Sequence, residues 1–412
     1  MRTIAAMVAL AGCAAPADPG PTRYLIFQHF TAAPIPDPGD PNGAHVLIQP
    51  NASYDQALAD DEAYADRVTS LVGVTPARGR VLGFAMGPLG LDLGDQILVD
   101  SIRAGFDAAQ AKHVAVAFHL DISHFWKRVA DADGRLSDGT GALDVHEWMD
   151  FAGTIAAAGQ HPGSDDWQPN LLPAMCYACD RVEAMVDHVT SVIGPELAAG
   201  AASDLFAGVI IGWEAGSDNP LGYHSLSVKG YDAATPNATL RLAQQQILHD
   251  YIERWARNLN GYGIATTKIY THLTSCTQWD IDNHFCNPSY ANGPDAFWEM
   301  FNAYSIGGVS VYANVAAEGT AEAAADAAAT YGGGAWGMME GTNVNIFTGD
   351  QSTNSYGASD VDFETYLAKI YNHGGVMADI FGFEGTGVTA SSTDEAVAAY
   401  RKFLTGGTLV EH

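Results

Sequence analysis

Apolar residues along the chain gather into eight short, dense runs: residues 24–29, 81–86, 113–121, 208–214, 266–272, 308–314, 335–340 and 376–381. Most are apolar nearly throughout, as a strand buried on both faces of a parallel sheet must be. Between them lie segments whose apolar positions recur with the helical period, at residues 55–72, 95–110, 180–193, 240–259, 363–371 and 394–404. Strand and helix in alternation predict an α/β chain, a (β/α)8 TIM barrel over residues 23–412 with long loops at its catalytic face. No Gly-x-Gly-x-x-Gly follows the first run, so the pattern does not predict a dinucleotide-binding sheet.

Two of the runs end abruptly in an acid. Glu214 closes Phe-Ala-Gly-Val-Ile-Ile-Gly-Trp-Glu in the fourth, and Glu340 closes Gly-Ala-Trp-Gly-Met-Met-Glu in the seventh. A carboxylate at the C-terminal end of a barrel strand faces the rim where such folds carry their chemistry. Side chains alternate along a strand, which sorts the neighbours of these acids. On the third run small Ala115 and Ala117 share a face with His119 and Asp121. The same sorting groups Ile210, Gly212 and Glu214; Lys268, Tyr270 and His272; Ser310, Tyr312 and Asn314; Trp336, Met338 and Glu340; Met377, Asp379 and Phe381. The expected mouth therefore holds Asp121, Glu214, Glu340 and Asp379 beside His119, His272, Tyr270, Tyr312 and Asn314. Converging carboxyl groups with few bases among them drive pKa values apart, the condition for one protonated acid and one ionised carboxylate.

Composition narrows the partners. The 412 residues are 47% hydrophobic, and 48 acids against 19 bases leave a formal net charge of -29. That surface disfavours nucleic acid and anionic polymers and is compatible with neutral sugars; the alternative is an adaptation to a salty habitat, which says nothing about catalysis. The connections after the third and fifth runs, residues 122–205 and 273–297, are longer than one loop and one helix require. They hold Trp126, Trp148, Trp167 and Trp279, with Asp280, Asp282 and His284. At the catalytic face such insertions build a substrate groove, and aromatic faces stack on sugar rings; the alternative is that these tryptophans fill an added core.

The chain begins with one basic residue and a short apolar stretch ending Leu10-Ala11-Gly12-Cys13, which reads as a secretory signal over residues 1–12. The last four residues resemble the lipobox of bacterial lipoproteins. That resemblance implies lipidation of Cys13, a tether over residues 13–22, and an extracytoplasmic protein held to a bacterial membrane by its lipid. Export favours disulfides. Cys276 with Cys286 and Cys176 with Cys179 are the expected pairs; a zinc site from all four is the alternative, against which the nine residues between the second pair count.

The barrel as a whole resembles the large clan of (β/α)8 glycoside hydrolases that includes cellulases, β-mannanases and β-galactosidases. These carry an acid/base glutamate at the end of strand four and a nucleophilic glutamate at the end of strand seven, where Glu214 and Glu340 fall. A tyrosine near the end of strand six commonly bonds the nucleophile, and Tyr312 stands in that place. The resemblance implies a retaining glycosidase working by double displacement without a cofactor. It assigns Glu214 and Glu340 as the catalytic pair, and His119, Asp121, Trp213, Tyr270, His272, Tyr312, Asn314 and Asp379 as substrate contacts. The chain departs from the clan at Trp213, where an asparagine usually precedes the acid/base, and at Phe381 and Phe383, where strand eight often ends in tryptophan. Two other readings remain. One is a metal-dependent barrel hydrolase built on His29, His119, His272 and Asp379, although no His-x-His occurs on the first run. The other is a non-catalytic glycan-binding surface lipoprotein, which Trp213 would favour.

Overall fold

In the computed structural model, the eight runs are the strands of a closed, all-parallel barrel in which each strand pairs with its neighbours in chain order. The structure describes residues 21–29, 34–35, 47–48, 53–91, 94–122, 147–148, 150–154, 176–215, 222–273, 294–312, 319–350, 355–357, 359, 361–381 and 390–412. The strands are β1 (Arg23–His29), β2 (Arg80–Gly90), β3 (Ala115–Asp121), β4 (Phe206–Ala215), β5 (Ile269–Leu273), β6 (Gly307–Ser310), β7 (Trp336–Gly341) and β8 (Gly375–Ile380). The helices are α1 (Tyr54–Val72), α2 (Asp95–Lys112), α3 (Asp180–Gly200), α4 (Tyr223–Val228), α5 (Asn237–Gly261), α6 (Thr320–Tyr331), α7 (Phe363–Asn372) and α8 (Asp394–Leu404). Three of these helices start on a side-chain cap: Ser53, Asp362 and Thr393 each accept an N–H from three residues ahead. Helix α6 was not expected from the pattern. Its sequence Thr-Ala-Glu-Ala-Ala-Ala-Asp-Ala-Ala-Ala-Thr-Tyr has no large apolar residue before its last position to mark a face. It has strong helix propensity instead, and packs its alanines against the sheet.

The barrel has two cores. The outer one lies between strands and helices and takes Leu25, Phe27, Phe84, Val116, Phe118, Val209, Ile211, Val309 and Ile380. The inner one fills the barrel with Tyr24, Ile26, Ala85, Ala115, Ala117, Ile210, Tyr270, Met339 and Met377. Small residues on one strand make room for large ones on the next. A Cβ at Gly208 would lie 2.6 Å from the Tyr270 ring, so this glycine is what lets that ring lie across the interior. Lys268 closes the N-terminal end by donating to the Tyr24 hydroxyl and the Phe206 carbonyl, each at 2.6 Å.

Alternation by two holds on β1, β3, β5 and β8 and fails on β7. Trp336 and Met338, expected inside with Glu340, belong to the outer core, and Met339 is the inward methionine. Strict alternation would then turn Glu340 outward. An extra residue in β7 prevents this. Against β6 the paired positions step from Val309/Met338 to Ser310/Glu340, two residues against one. Against β8 they step from Ala378/Met338 to Ile380/Gly341, three against two. The bulge returns Glu340 to the interior. Strand β4 is irregular at the same level, with Ile211 paired to Thr271 but Ala215 to Leu273.

Candidate active site

Glu340 is buried at the C-terminal end of β7 with a donor on each oxygen. The Tyr312 hydroxyl donates to Oε1 at 2.6 Å and the Gln28 amide to Oε2 at 3.2 Å. Tyr312 lies two residues past the end of β6, its ring edge-on to Phe381 at 6.4 Å between centroids. Hydrogen bonds to both oxygens favour the ionised carboxylate.

Gln28 connects this glutamate to a histidine pair. With its amide nitrogen donating to Glu340, the second amide proton faces His119 Nδ1 at 3.4 Å. Nδ1 is then an acceptor, which places the His119 proton on Nε2, 2.9 Å from His272 Nδ1. His272 Nε2 lies 2.7 Å from Ser310 Oγ, and the ring has a further hydrogen bond to the Gly212 backbone. Both imidazoles are fully buried. Burial first, and His119 beside it second, hold the His272 pKa well below the ordinary histidine value, so it is a neutral ring. Glu340 is thus linked to the chain Gln28, His119, His272, Ser310 across β1, β3, β5 and β6.

Asp379 enters from β8, fully buried, with neither carboxylate oxygen hydrogen-bonded; His119 Nδ1 is 3.8 Å from Oδ2. Burial, and then the charge of Glu340, push its pKa well above the ordinary carboxylate range. A protonated Asp379 agrees with an Nδ1 that bears no proton to offer it. Among the described residues, Glu340 thus has a donor on each oxygen and Asp379 has none.

The expected residues distribute as follows. His119, His272, Tyr312, Asp379 and Glu340 converge. Tyr270 points inward but sits deeper, in the apolar layer with Tyr24 and Ile210. Asp121, Trp213 and Glu214 lie at the C-terminal ends of β3 and β4, with side chains outside the described residues, as is the whole of Asn314. Cys13, Cys276, Cys286, Trp126, Trp167, Trp279, Asp280, Asp282, His284 and Phe383 also lie outside them. Cys176 and Cys179 form the expected disulfide. The histidine set of the metal reading does not assemble. Gln28 is the inward residue of β1, so His29 faces α1, stacked on Tyr64 at 4.1 Å and 3.2 Å from Asp60. The set that does come together is His119, His272 and Glu340, whose ligating atoms lie within 4.8 Å of one another. Gln28 was missed, although Tyr24, Ile26 and Gln28 share a face by the same alternation that selected His119.

No family model matches the chain, and no curated protein matches it. Solved structures do. A β-galactosidase from the psychrophilic Marinomonas ef1 aligns at TM-score 0.52 and 9% identity over 93% of this chain and 59% of that one. The catalytic domain of a β-amylase from Paenibacillus polymyxa aligns at TM-score 0.50 and 8% identity over 93% and 97%. A GH5-4 broad-specificity endoglucanase from an uncultured bacterium aligns at TM-score 0.45 and 10% identity over 94% and 95%. The chain thus spans about three fifths of the β-galactosidase. At these identities the likeness to the β-galactosidase and the β-amylase domain shows the fold alone, the closed (β/α)8 barrel, and leaves the chemistry to the site.

Proposed function

We propose that the chain is a glycoside hydrolase that cleaves an oligo- or polysaccharide with retention, with Glu340 as nucleophile and Glu214 as acid/base. The observation that carries this reading is the setting of Glu340: a buried carboxyl group returned to the mouth by a strand bulge and hydrogen-bonded on both oxygens by Tyr312 and Gln28. Glu214 supports it by its place at the end of β4, three strands away around the same rim.

In the first step a Glu340 oxygen bonds to the anomeric carbon as the glycosidic C–O bond breaks, and Glu214 gives its proton to the leaving oxygen. In the second, Glu214 takes a proton from water, whose oxygen displaces Glu340 from the anomeric carbon. Retention requires the two carboxyl groups about 5–5.5 Å apart, and inversion about 6.5–9.5 Å. The Tyr312 hydroxyl leaves Oε1 partly neutralised and orients Oε2 for attack. His119, Asp121, Trp213, Tyr270, His272, Asn314 and Asp379 are proposed to contact or orient the sugar, Tyr270 from the layer beneath. Cys13 is proposed as a lipid anchor that holds the enzyme outside the cytoplasm; mass spectrometry of the mature N-terminus would show a diacylated Cys13, and an unmodified one would sink the proposal.

Aryl glycosides and plant, algal and microbial polysaccharides form the test panel. Hydrolysis with retained anomeric configuration by proton NMR, lost in Glu340→Gln and Glu214→Gln, is the expected result. Inactivity of the folded wild-type chain across the panel would overturn it, and glycan affinity without turnover would support the binding protein instead. A metal-dependent hydrolase has one observation in its favour, the convergence of His119, His272 and Glu340. Each of those side chains already spends its lone pairs or protons on neighbours. Activity abolished by a chelator and restored by one metal would favour the metal reading.

A further inference from the structure

A second group of soft and nitrogen donors lies outside the barrel mouth, where the connection after β3 meets the one after β4. Cys176 and Cys179 are buried and joined by a disulfide, with Cys179 immediately before α3. His224 of α4 brings Nε2 to 3.5 Å from the Cys179 sulfur, and its ring stacks on Trp148 with centroids 4.0 Å apart and planes 3° from parallel. Ser225 Oγ lies 3.6 Å from the Cys176 sulfur. Buried Glu147 holds that serine, taking its backbone N–H at 2.9 Å and facing its hydroxyl at 2.5 Å. The two sulfurs and an imidazole nitrogen fall within 4.8 Å of one another.

We propose that Cys176, Cys179 and His224 form a zinc site that is exclusive with the disulfide. A tetrahedral zinc with bonds of about 2.3 Å to sulfur and about 2.1 Å to nitrogen sets a sulfur-to-nitrogen edge of about 3.6 Å, close to the 3.5 Å found between Cys179 and His224. Cys-x2-Cys is the spacing at which two thiolates meet on one such ion. Stacking on Trp148 fixes the imidazole plane, and Ser225, held by Glu147, stands beside Cys176 as the kind of outer partner that orients a ligand. The N-terminus of α3 stabilises a thiolate at Cys179.

The chemistry balances with a dithiol as reductant. The dithiol gives up two electrons and two protons and becomes a cyclic disulfide, the Cys176–Cys179 bond breaks, and two thiols result. Zinc binding then releases two protons as both sulfurs coordinate, His224 Nε2 gives a third bond, and water fills the fourth position. Either form, bridged or metallated, ties Cys176 to Cys179; the metallated form adds a bond to His224 of α4 and so joins the connection after β3 to the one after β4.

The test uses the full chain with Cys276 and Cys286 replaced by serine, so that only this pair carries thiols beside Cys13. The protein is reduced with dithiothreitol, desalted under argon and titrated with Co2+, then Zn2+. One Co2+ per chain with thiolate-to-cobalt absorption, displaced by one Zn2+ and absent from the oxidised protein, is expected. His224→Ala and Cys179→Ser should each weaken binding by about 100-fold or more. X-ray absorption of the zinc-loaded protein without further substitution should count two sulfur neighbours and at least one imidazole, whether or not the variants fold. No thiolate absorption after reduction, equal binding by the oxidised chain, or a zinc shell without two sulfurs would each overturn the proposal.

Discussion

Asp379→Asn separates a neutral carboxyl group from an ionised one in the barrel floor. Asp379 is fully buried, neither oxygen has a hydrogen-bond partner among the described residues, and a charge on Glu340 repels a second one there. Losing the proton there would cost several kcal/mol of uncompensated desolvation. The folded chain therefore keeps its proton at pH values where the unfolded chain, with an aspartate pKa of about 3.9, has lost it. An acid whose folded pKa is raised adds its full stability below the unfolded pKa and loses it as pH rises toward the folded value. The slope is about 1.4 kcal/mol per pH unit between the two. Asparagine keeps the shape and has no proton to lose. From pH 5 to pH 8 the wild type should thus give up as much as about 4 kcal/mol relative to the variant, an upper bound reached only if the folded pKa exceeds 8. Urea unfolding of both proteins at both pH values measures this as a difference of differences. Activity of the variant should stay within about tenfold of wild type, because an amide fills the same space and is likewise uncharged. A stability gap that does not change with pH would refute the argument.

Tyr312→Phe removes a short hydrogen bond to a buried carboxylate, about 1.5–3 kcal/mol, and should lower kcat/KM on an aryl glycoside about 10- to 150-fold without unfolding the barrel; unchanged kcat/KM would take Tyr312 out of the reaction. Gln28→Leu deletes the group that fixes the His119 tautomer, so nitrogen-15 NMR of labelled histidines should show the Nε2–H form in wild type and a mixture in the variant. An unaltered histidine spectrum would refute the orientation chain. Gly341→Ala would put a Cβ 1.9 Å from the Val311 carbonyl oxygen, against backbone that cannot yield without moving the bulge. It should destabilise by about 1–3 kcal/mol and cut activity by displacing Glu340; a neutral thermal midpoint with full activity would contradict the bulge as the element that positions the acid.

The sequence by itself determined the barrel. Eight apolar runs in alternation with helical segments admit few other architectures, and each run became a strand. Helix α6 escaped because alanines pack against a sheet without leaving a stripe of large residues to read. On regular strands the sequence also determined which side chains face inward: His119, His272, Ser310 and Asp379 follow from a period of two. Gln28 was legible by the same rule. Only tertiary structure decided where the period breaks. Glu340 was expected inside together with Trp336 and Met338, and it is inside without them. The extra residue in β7 is visible only against the pairing of β6 and β8, because a bulge is a mismatch between strands and leaves no mark within one. The His119–His272 contact, across 153 residues of chain, and the approach of His224 to Cys179, across 45, arise the same way. Local pattern sets the face a side chain takes, and closure of the barrel and the meeting of its long connections set what it meets there.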